Sequence, residues 1–265
     1  GANFSAKIFL ILDFSAIAGS AIVIVTVNSW SNSQSYVGVL QSNVELLRGI
    51  LPAVAHHCPK CLLLVASQPV EIMTYATWKL SGFPHNRVLG IGCNLDSGRF
   101  RHVIEKLADS EEGAQGAWII GEQSDNKGGS ECEWNLPHYR GNRANDSSAN
   151  RQTPCKLYPK IFQEQLTSRA LEILKGKGQR SWSVGLSVAD ITDTLVQNKG
   201  KVHSVSALCK GQFGVQEEVF LSIPCVLGSA GVTGAVQTLQ DEAQIWETLQ
   251  RSAAAIESVQ QQLRL

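Results

Sequence analysis

Apolar residues recur along this chain in two patterns, short continuous runs and longer stretches with helical spacing. The runs at 21–27 and 62–66 are continuous and apolar, which is typical of buried parallel strands. The stretch between them, 36–56, carries apolar residues at intervals of three and four, which predicts an amphipathic helix. The order strand, helix, strand is the unit from which parallel sheets are built.

The same alternation continues towards the middle of the chain. The predicted elements are helices at 69–82 and 96–107, the second capped by Asp96, and strands at 87–91 and 118–120. Helices that alternate with buried strands indicate an α/β fold with a largely parallel sheet.

The second half of the chain is less regular. Segment 126–160 is rich in Asn, Ser, Arg and Gly and has no periodicity, so we expect a long loop or a disordered stretch. Beyond it, helices and strands follow without strict alternation, which indicates a mixed α+β region. The predicted helices are 161–175, 184–198 and 241–263, and the predicted strands are 202–208 and 219–226.

Residues 8–27 form a mostly apolar window with the length of a membrane span or a signal core. Asp13 lies inside this window, with Ser15, Gly19 and Ser20 close behind, and its last part is β-branched like a buried strand. An internal strand is therefore the favoured interpretation, and no membrane span is predicted.

The charges of the chain cancel, since 23 Lys and Arg residues stand against 23 Asp and Glu residues. A neutral chain has no bulk electrostatic attraction to nucleic acid or to an anionic membrane, so no nucleic-acid partner is expected. The 7 cysteines are an odd number at spacings that build no obvious disulfide framework. This usage favours a reducing, intracellular compartment, and the cytoplasm is the expected location.

Two kinds of motif carry little functional information. Cys58 and Cys61 form a CxxC, but no second pair of ligands has a spacing suited to zinc, so we interpret it as a helix end followed by a strand. Glycine clusters at 90–92, 176–178 and 228–234 lack the complete GxGxxG of a dinucleotide-binding turn and are interpreted as turns. No metal site is predicted.

Longer motifs resemble the lactate/malate dehydrogenase family. They include SQPVE at 67–71, NLDSGRF at 94–100, SWSVGLSVAD at 181–190 and VHSVS at 202–206. The resemblance implies an α/β fold with two lobes. Residues 1–92 would be a truncated Rossmann-like parallel-sheet lobe without the first βαβ unit, and residues 93–265 an α+β lactate/malate dehydrogenase C-terminal lobe.

A more specific resemblance is to a branch of the family in which a ubiquitin-conjugating-enzyme-variant domain precedes the dehydrogenase-like domain. The motifs that carry it include VNS at 27–29, GEQ at 121–123 and QRSWSV at 179–184. This resemblance implies partners in ubiquitin-pathway regulation or protein trafficking. The family as a whole implies a homo-oligomer.

By the same resemblance, the residues that perform hydride transfer between a 2-hydroxy acid and NAD can be placed on this chain. Arg99 corresponds to the anchor of the substrate carboxylate, and Asp96 to the aspartate that orients the catalytic histidine. The histidine position reads Gln123, and a Gln side chain cannot take and return a proton near neutral pH.

Other family positions differ as well. No Lys or Arg occurs in residues 8–47, so the mobile loop over the site supplies no polarising cation. Arg180 stands at a substrate-pocket position that the family fills with a small polar residue. On the cofactor side, Gln68 stands in place of an Asn, and Val27 with Asn28 in place of a tight Ala-Gly turn.

The favoured hypothesis is a catalytically inactive pseudoenzyme that serves as a binding or interaction module and holds no cofactor. The first alternative is an NAD-dependent 2-hydroxyacid oxidoreductase with an atypical active site, which uses Asp96 and Arg99 with another proton carrier. The second alternative is a shortened or alternatively spliced product of marginal stability.

Overall fold

The computed structural model describes residues 13–29, 34–108, 117–122, 137–139, 181–236 and 243–265. Its α-helices are α1 (Tyr36–His57), α2 (Val70–Ser81), α3 (Asn94–Ala108), α4 (Ser181–Val196) and α5 (Ala243–Gln260). Its strands are β1 (Ile22–Val25), β2 (Leu62–Val65), β3 (Val88–Gly90), β4 (Ala117–Ile119), β5 (Pro137–Tyr139), β6 (Val202–Leu208), β7 (Phe220–Gly228) and β8 (Gly231–Ala235). Short 3-10 helices occur at Phe14–Ile17 and His85–Arg87.

Strands from both halves of the chain form one sheet in the order β1-β2-β3-β6-β7-β8. β1, β2 and β3 are parallel, with Val25 opposite Val65 and Val65 opposite Gly90. β3 pairs antiparallel with β6 through Gly90 and Ser206, and the β6–β7 and β7–β8 pairs are antiparallel too. The β3–β6 junction therefore joins the parallel part of the sheet to the antiparallel part. β4 and β5 pair separately.

Local signals explain where α1 and α2 begin and end. The Ser35 hydroxyl accepts a hydrogen bond from the Gly38 amide, which caps the start of α1. Gly82 follows α2 in the left-handed conformation, with a φ of 68°, which glycine adopts without a steric penalty. The two helices pack against each other, and every residue of β2 is buried.

The apolar face of α1 anchors this helix in the core. Its stripe is at most 2% exposed and consists of Leu40, Val44, Leu47, Leu51 and Val54. Burial of one side chain of this size stabilises a fold by about 1.5–3 kcal/mol. The same core includes β2, β3 and the inner residues of β6 and β7. One continuous core therefore lies along both parts of the sheet.

The predicted α/β fold is confirmed, and most elements lie where the apolar pattern predicts them. α1 begins at Tyr36 as predicted and ends at His57 instead of His56. The parallel arrangement stops at β3, because the later strands of the sheet pair antiparallel. The predicted helix at 161–175 and the glycines of 176–178 lie outside the described residues.

Some local predictions are wrong. Asp96 does not cap α3, because the turn at 92–93 already redirects the chain and the helix begins at Asn94. Pro137–Tyr139, inside the predicted irregular segment, form β5 because they pair with β4. Gly228 ends β7 and Gly231 begins β8, because the two residues pair with each other across the strands. A Cβ at Gly231 would lie 2.1 Å from the Asn86 carbonyl oxygen. Gly234 also lies in β8.

Part of the apolar window 8–27 is described, and it contains β1. No helix within the described ranges combines the length and the apolar character that crossing a membrane requires. The interpretation of the CxxC is confirmed, because Cys58 follows α1 and Cys61 precedes β2. Both cysteines are buried, and burial raises the pKa of the Cys61 thiol to about 11.

Candidate ligand-binding site

The carboxyl ends of β1, β2 and β3 meet at one edge of the sheet, where open α/β sheets bind their ligands. Val27 and the exposed Asn28 follow β1, and Gln68 follows β2. The Ala66 amide donates to the Val25 carbonyl at 2.8 Å, which keeps the two strand ends side by side. The structure therefore places the predicted cofactor-side residues at this edge.

Asn43 on α1 holds the segment that follows β1. Its Oδ1 accepts a hydrogen bond from the Ser29 amide, and its side chain is 1% exposed. The Nδ2 atom of Asn43 is buried and has no hydrogen-bond partner. The apolar pattern does not single out Asn43, because a polar residue within an amphipathic stretch normally faces solvent.

Asp96 and Arg99 lie one turn apart on α3, directly after the edge formed by β3. The Arg99 Nη1 atom donates to Asp96 Oδ1 at 2.9 Å, and the two side chains are 19% and 10% exposed. A charge-assisted hydrogen bond with little exposure is stronger than the same pair on the open surface. The two polar residues predicted for substrate chemistry therefore contact each other.

The second terminal nitrogen of Arg99, Nη2, differs from Nη1 in its hydrogen bonding. Arg99 Nη2 is buried and has no hydrogen-bond partner. Leaving a charged donor buried without an acceptor is costly, so such an atom favours binding of a ligand oxygen. The geometry at Arg99 thus fits a small ligand that presents an acceptor to Nη2.

Backbone and hydroxyl contacts fix the strand that leads to position 123. The Ile119 amide donates to Ser97 Oγ at 2.9 Å, and the Ser204 hydroxyl donates to the Ile119 carbonyl at 2.6 Å. These bonds hold β4 against α3 on one side and β6 on the other. Gly121 is then paired with Ser222 of β7 through both of its backbone groups, at 2.8 and 2.6 Å.

Glu71 and Ser222 form a buried connection beneath this edge. The Ser222 hydroxyl donates to Glu71 Oε1 at 2.8 Å and accepts from the Cys93 amide at 3.0 Å. Glu71 is 2% exposed, which is unusual for a carboxylate. No role of either residue is predicted from the sequence, although an acidic residue in the first turn of a helix with buried apolar neighbours is a usable signal.

His203 lies in a second buried polar group behind α3. Its Nδ1 lies 3.0 Å from Asn94 Oδ1 and its Nε2 lies 2.8 Å from the Thr194 hydroxyl. Burial lowers the pKa of His203 to about 4, against the attraction of Asp190. The ring is therefore neutral near pH 7 and connects the first residue of α3 to α4.

Asp190 on α4 belongs to the same group. Burial acts to raise its pKa, but the Lys201 ammonium, which donates to Asp190 Oδ1 at 2.7 Å, holds the pKa below its usual value. The Asp190 carboxylate therefore stays ionised, and the Lys201 ammonium balances its charge.

Not every predicted site residue can be placed. Val27, Asn28 and Gln68 lie at the strand edge, and Asp96 with Arg99 on α3. Gln123 and Arg180 lie outside the described residues. In the part of the chain that the structure describes, no group of three or more His, Cys, Asp or Glu side chains could hold a metal ion.

Gly90 ends β3, and Gly92 lies in the turn that follows it. A Cβ at Gly90 would lie 2.4 Å from Thr74 Oγ1, and a Cβ at Gly92 would lie 2.6 Å from the Ser206 amide nitrogen. Close contacts with neighbouring protein atoms therefore require glycine at both positions. Gly90 and Gly92 thus serve packing and do not form a backbone cradle of the kind that dinucleotide-binding turns provide.

Two family models match this chain. The lactate/malate dehydrogenase NAD binding domain matches residues 12–90. The lactate/malate dehydrogenase alpha/beta C-terminal domain matches residues 93–263. Together they cover the described residues almost completely.

Curated relatives fall into two groups. An L-lactate dehydrogenase of Petromyzon marinus is 41% identical over 264 residues, which cover 98% of this chain and 77% of that protein. A protein of Xenopus tropicalis named ubiquitin-conjugating enzyme E2 variant 3 is 94% identical over 253 residues, 96% of this chain and 51% of that protein. The protein of that name from Danio rerio is 43% identical over 248 residues, 92% of this chain and 50% of that protein. The chain thus spans about half the length of these last two relatives.

Proposed function

This chain belongs to the lactate/malate dehydrogenase family, and we propose that it is a ligand-binding domain of that family which does not catalyse hydride transfer. The observation that carries the proposal is the direct pairing of Asp96 with Arg99. By resemblance, the family uses this aspartate to orient a proton-carrying histidine and this arginine to hold a carboxylate. Here each group already serves as the partner of the other.

The residue at the position of the proton carrier is the second support for this proposal. Position 123 holds Gln, whose amide cannot act as a general acid or base near neutral pH. His203 does not replace it, because both of its ring nitrogens are occupied by Asn94 and Thr194 and its pKa is about 4. His203 therefore has no free ring nitrogen with which to exchange a proton with a ligand oxygen bound at Arg99.

We propose that the domain works without a resident cofactor. NAD, when bound in this family, supplies the hydride acceptor, and here Val27, Asn28 and Gln68 would lie beside it at the strand edge. The proposal rests on Gly90 and Gly92, which are needed for packing against the protein itself and do not form a dinucleotide cradle.

The second candidate function is an NAD-dependent 2-hydroxyacid oxidoreductase. It is favoured by two observations, the match of residues 12–90 to an NAD binding domain and the retained Asp96 and Arg99. It requires a proton carrier other than Gln123.

A dehydrogenase assay separates the two functions. Purified chain is mixed with NAD and lactate or malate, and NADH formation and NADH binding are both followed. We expect no turnover above background and no NADH binding at concentrations from micromolar to millimolar, the usual range of Michaelis constants. Turnover that disappears in Arg99→Ala would overturn the proposal. Gln123→His serves as the matched variant, because it restores the proton carrier alone.

We further propose that the domain acts as an interaction module linked to the ubiquitin pathway or to protein trafficking. The support is the name of the relatives that match this chain over half their length. A cytoplasmic location is part of the same proposal and is supported by the buried free thiols of Cys58, Cys61, Cys93, Cys209 and Cys225.

A second copy of the chain is the partner that we propose for the outer face of α4. Trp182 and Leu186 lie one turn apart on this helix and are 79% and 70% exposed. Large neighbouring apolar side chains on a helix surface mark an interaction site. Two copies of a chain with a formal net charge of 0 have no bulk repulsion to overcome when this face self-associates.

A further inference from the structure

Ser222, near the start of β7, contacts three segments that come from distant parts of the chain. Its hydroxyl donates to Glu71 Oε1 at 2.8 Å and accepts from the Cys93 amide at 3.0 Å. Its backbone amide and carbonyl pair with Gly121 at 2.6 and 2.8 Å. Ser222 is completely buried, so bulk water does not compete for these bonds.

Each of the three segments leads into a part of the candidate ligand site. Glu71 lies in the first turn of α2, three residues after Gln68 at the strand edge. Cys93 immediately precedes α3, the helix that carries Arg99. The third segment, at Gly121, leads to the position of the proton carrier. A shift of this one serine would therefore move all three parts of the site relative to one another.

The hydroxyl of Ser222 fixes geometry in a way that an apolar side chain could not. Its neighbours along β7, Leu221 and Ile223, are buried apolar side chains of the core. Burial of a hydroxyl is costly unless it is hydrogen-bonded, and here the hydroxyl both donates and accepts. Hydrogen bonds have preferred distances and angles, so a satisfied buried network specifies one arrangement of the segments it joins.

Ser206 on β6 provides a contrast. It lies opposite Ser222 in the β6–β7 register, and both serines are 0% exposed. The Oγ atom of Ser206 has no hydrogen-bond partner among the described residues, whereas that of Ser222 has two. A serine hydroxyl at this depth of the sheet therefore does not by itself create a connection, and the connection is particular to Ser222.

We propose that Ser222 is a positioning residue of the candidate ligand site, which keeps the start of α2, the turn before α3 and the segment at Gly121 in one arrangement. It acts through these segments and not through contact with a ligand. Binding sites need such support, because a ligand that contacts two segments loses affinity when they drift apart. This role rests on the proposed function, because the segments that Ser222 joins belong to the same site.

Lactate is the probe for this role, because its carboxylate suits the Arg99 guanidinium. Its dissociation constant is measured by NMR titration of the purified chain and of Ser222→Ala, which removes the hydroxyl and keeps the backbone pair with Gly121. We expect the constant to rise about three- to tenfold in the variant, since the arrangement that binds the ligand loses the population that the hydroxyl bonds secure.

Two matched variants separate positioning from packing and from stability. Ser206→Ala removes the same group from the opposite strand and should leave the dissociation constant unchanged, because that hydroxyl has no described partner. Val54→Ala shortens a core side chain on α1 that is 2% exposed, and should lower the melting temperature without weakening lactate binding. Far-UV circular dichroism establishes that each variant is folded before affinities are compared.

Glu71→Gln gives a second route to the same hydrogen bond, and it decides the test if Ser222→Ala does not fold. Gln keeps an oxygen at the position of Oε1 without the charge, so the bond from the Ser222 hydroxyl becomes weaker. We expect weaker lactate binding in Glu71→Gln. Ser222→Ala should have a smaller effect in this background than in the wild-type chain, and the other contacts of Glu71 cancel in that comparison.

The possible results are distinguishable. Weaker lactate binding in Ser222→Ala and in Glu71→Gln, with unchanged binding in Ser206→Ala, supports the role. Equal constants in the wild-type chain and Ser222→Ala, additive effects of the two substitutions, or an equal loss in Ser206→Ala would overturn it and leave the proposed function standing. Absence of lactate binding by the wild-type chain at millimolar concentration would overturn the proposed ligand site and this role with it. NADH formation from lactate would overturn only the proposed absence of catalysis.

Discussion

The chemistry open to single residues in this domain depends on which groups they meet. Arg99 is a strong anion ligand when its guanidinium is free, yet Nη1 is bound to Asp96 and only Nη2 lacks a partner. His203 is a potential acid or base by type, yet its burial on β6 against α3 and α4 keeps its ring neutral. Residue identity alone would make Arg99 a free anion ligand and His203 an acid or base, whereas their contacts occupy one terminal nitrogen of Arg99 and both ring nitrogens of His203.

The buried His203 predicts a pH dependence of stability. Its pKa is lowered from the ordinary 6.5 to about 4, so in that interval the unfolded chain binds a proton that the folded chain does not. The stabilisation is complete above pH 6.5 and is lost as the pH falls towards 4. The loss amounts to about 3 kcal/mol, since one pKa unit corresponds to about 1.4 kcal/mol.

Urea unfolding at a series of pH values between 4 and 7 measures this effect. His203→Gln is expected to be less stable at pH 7 but to show a flatter dependence on pH than the wild-type chain. His102→Gln is the control, because His102 is exposed and its replacement should leave the slope unchanged. Equal slopes in the wild-type chain and His203→Gln would contradict the prediction.

At the scale of elements, the β3–β6 junction sets the position of the site. β3 has only the pair Gly90–Ser206 in register with β6, and α3 begins a few residues later. The chain must therefore pass close to α2 and β6 before it turns into the helix that carries Asp96 and Arg99. Small residues at this point are a packing requirement and not a ligand cradle.

A pair of glycine substitutions tests this role of β3. In Gly90→Ala the new Cβ would lie 2.4 Å from Thr74 Oγ1 and 2.8 Å from Ser206 Cβ. Overpacking of this kind costs about 1–3 kcal/mol, so the melting temperature should fall. Gly49→Ala in α1 meets nothing within 4 Å and should stabilise the helix slightly. Equal melting temperatures of the two variants, measured by calorimetry, would contradict this account of the junction.

At the scale of the whole molecule, a continuous sheet and core run through both family-matched segments, while the outer face of α4 remains apolar and exposed. Such a face is stable in water only at a cost, because exposed Trp and Leu side chains gain free energy on burial. The proposed contact with a second copy of the chain would remove this cost.

Self-association through α4 is tested by analytical ultracentrifugation over a range of protein concentrations. Replacing Trp182 and Leu186 with Ser should shift the chain towards the monomer with little loss of stability, because both side chains are exposed. Leu46→Ser is the control, since Leu46 is 44% exposed on a different helix, α1. A monomeric wild-type chain at high concentration, or identical behaviour of the variants, would rule the contact out.

Elements with a local signal could be predicted from the sequence, and elements with a distant cause could not. The stripe of α1 and the apolar run of β2 are properties of a few neighbouring residues, so their positions agree with the structure. β5 and β8 are short and polar or glycine-containing, and they exist because β4 and β7 offer them hydrogen bonds. Strand pairing across the chain is not encoded in any one window.

The sequence by itself determined the family, the α/β class and the chemistry that is missing, namely the histidine at position 123 and any cation in residues 8–47. These are statements about which residue types are present. Only the tertiary structure decided that Arg99 is paired with Asp96, that His203 is buried and neutral, and that Gly90 and Gly92 serve packing. The reason is physical, since charge, burial and steric demand depend on neighbours that the fold brings together from distant parts of the chain.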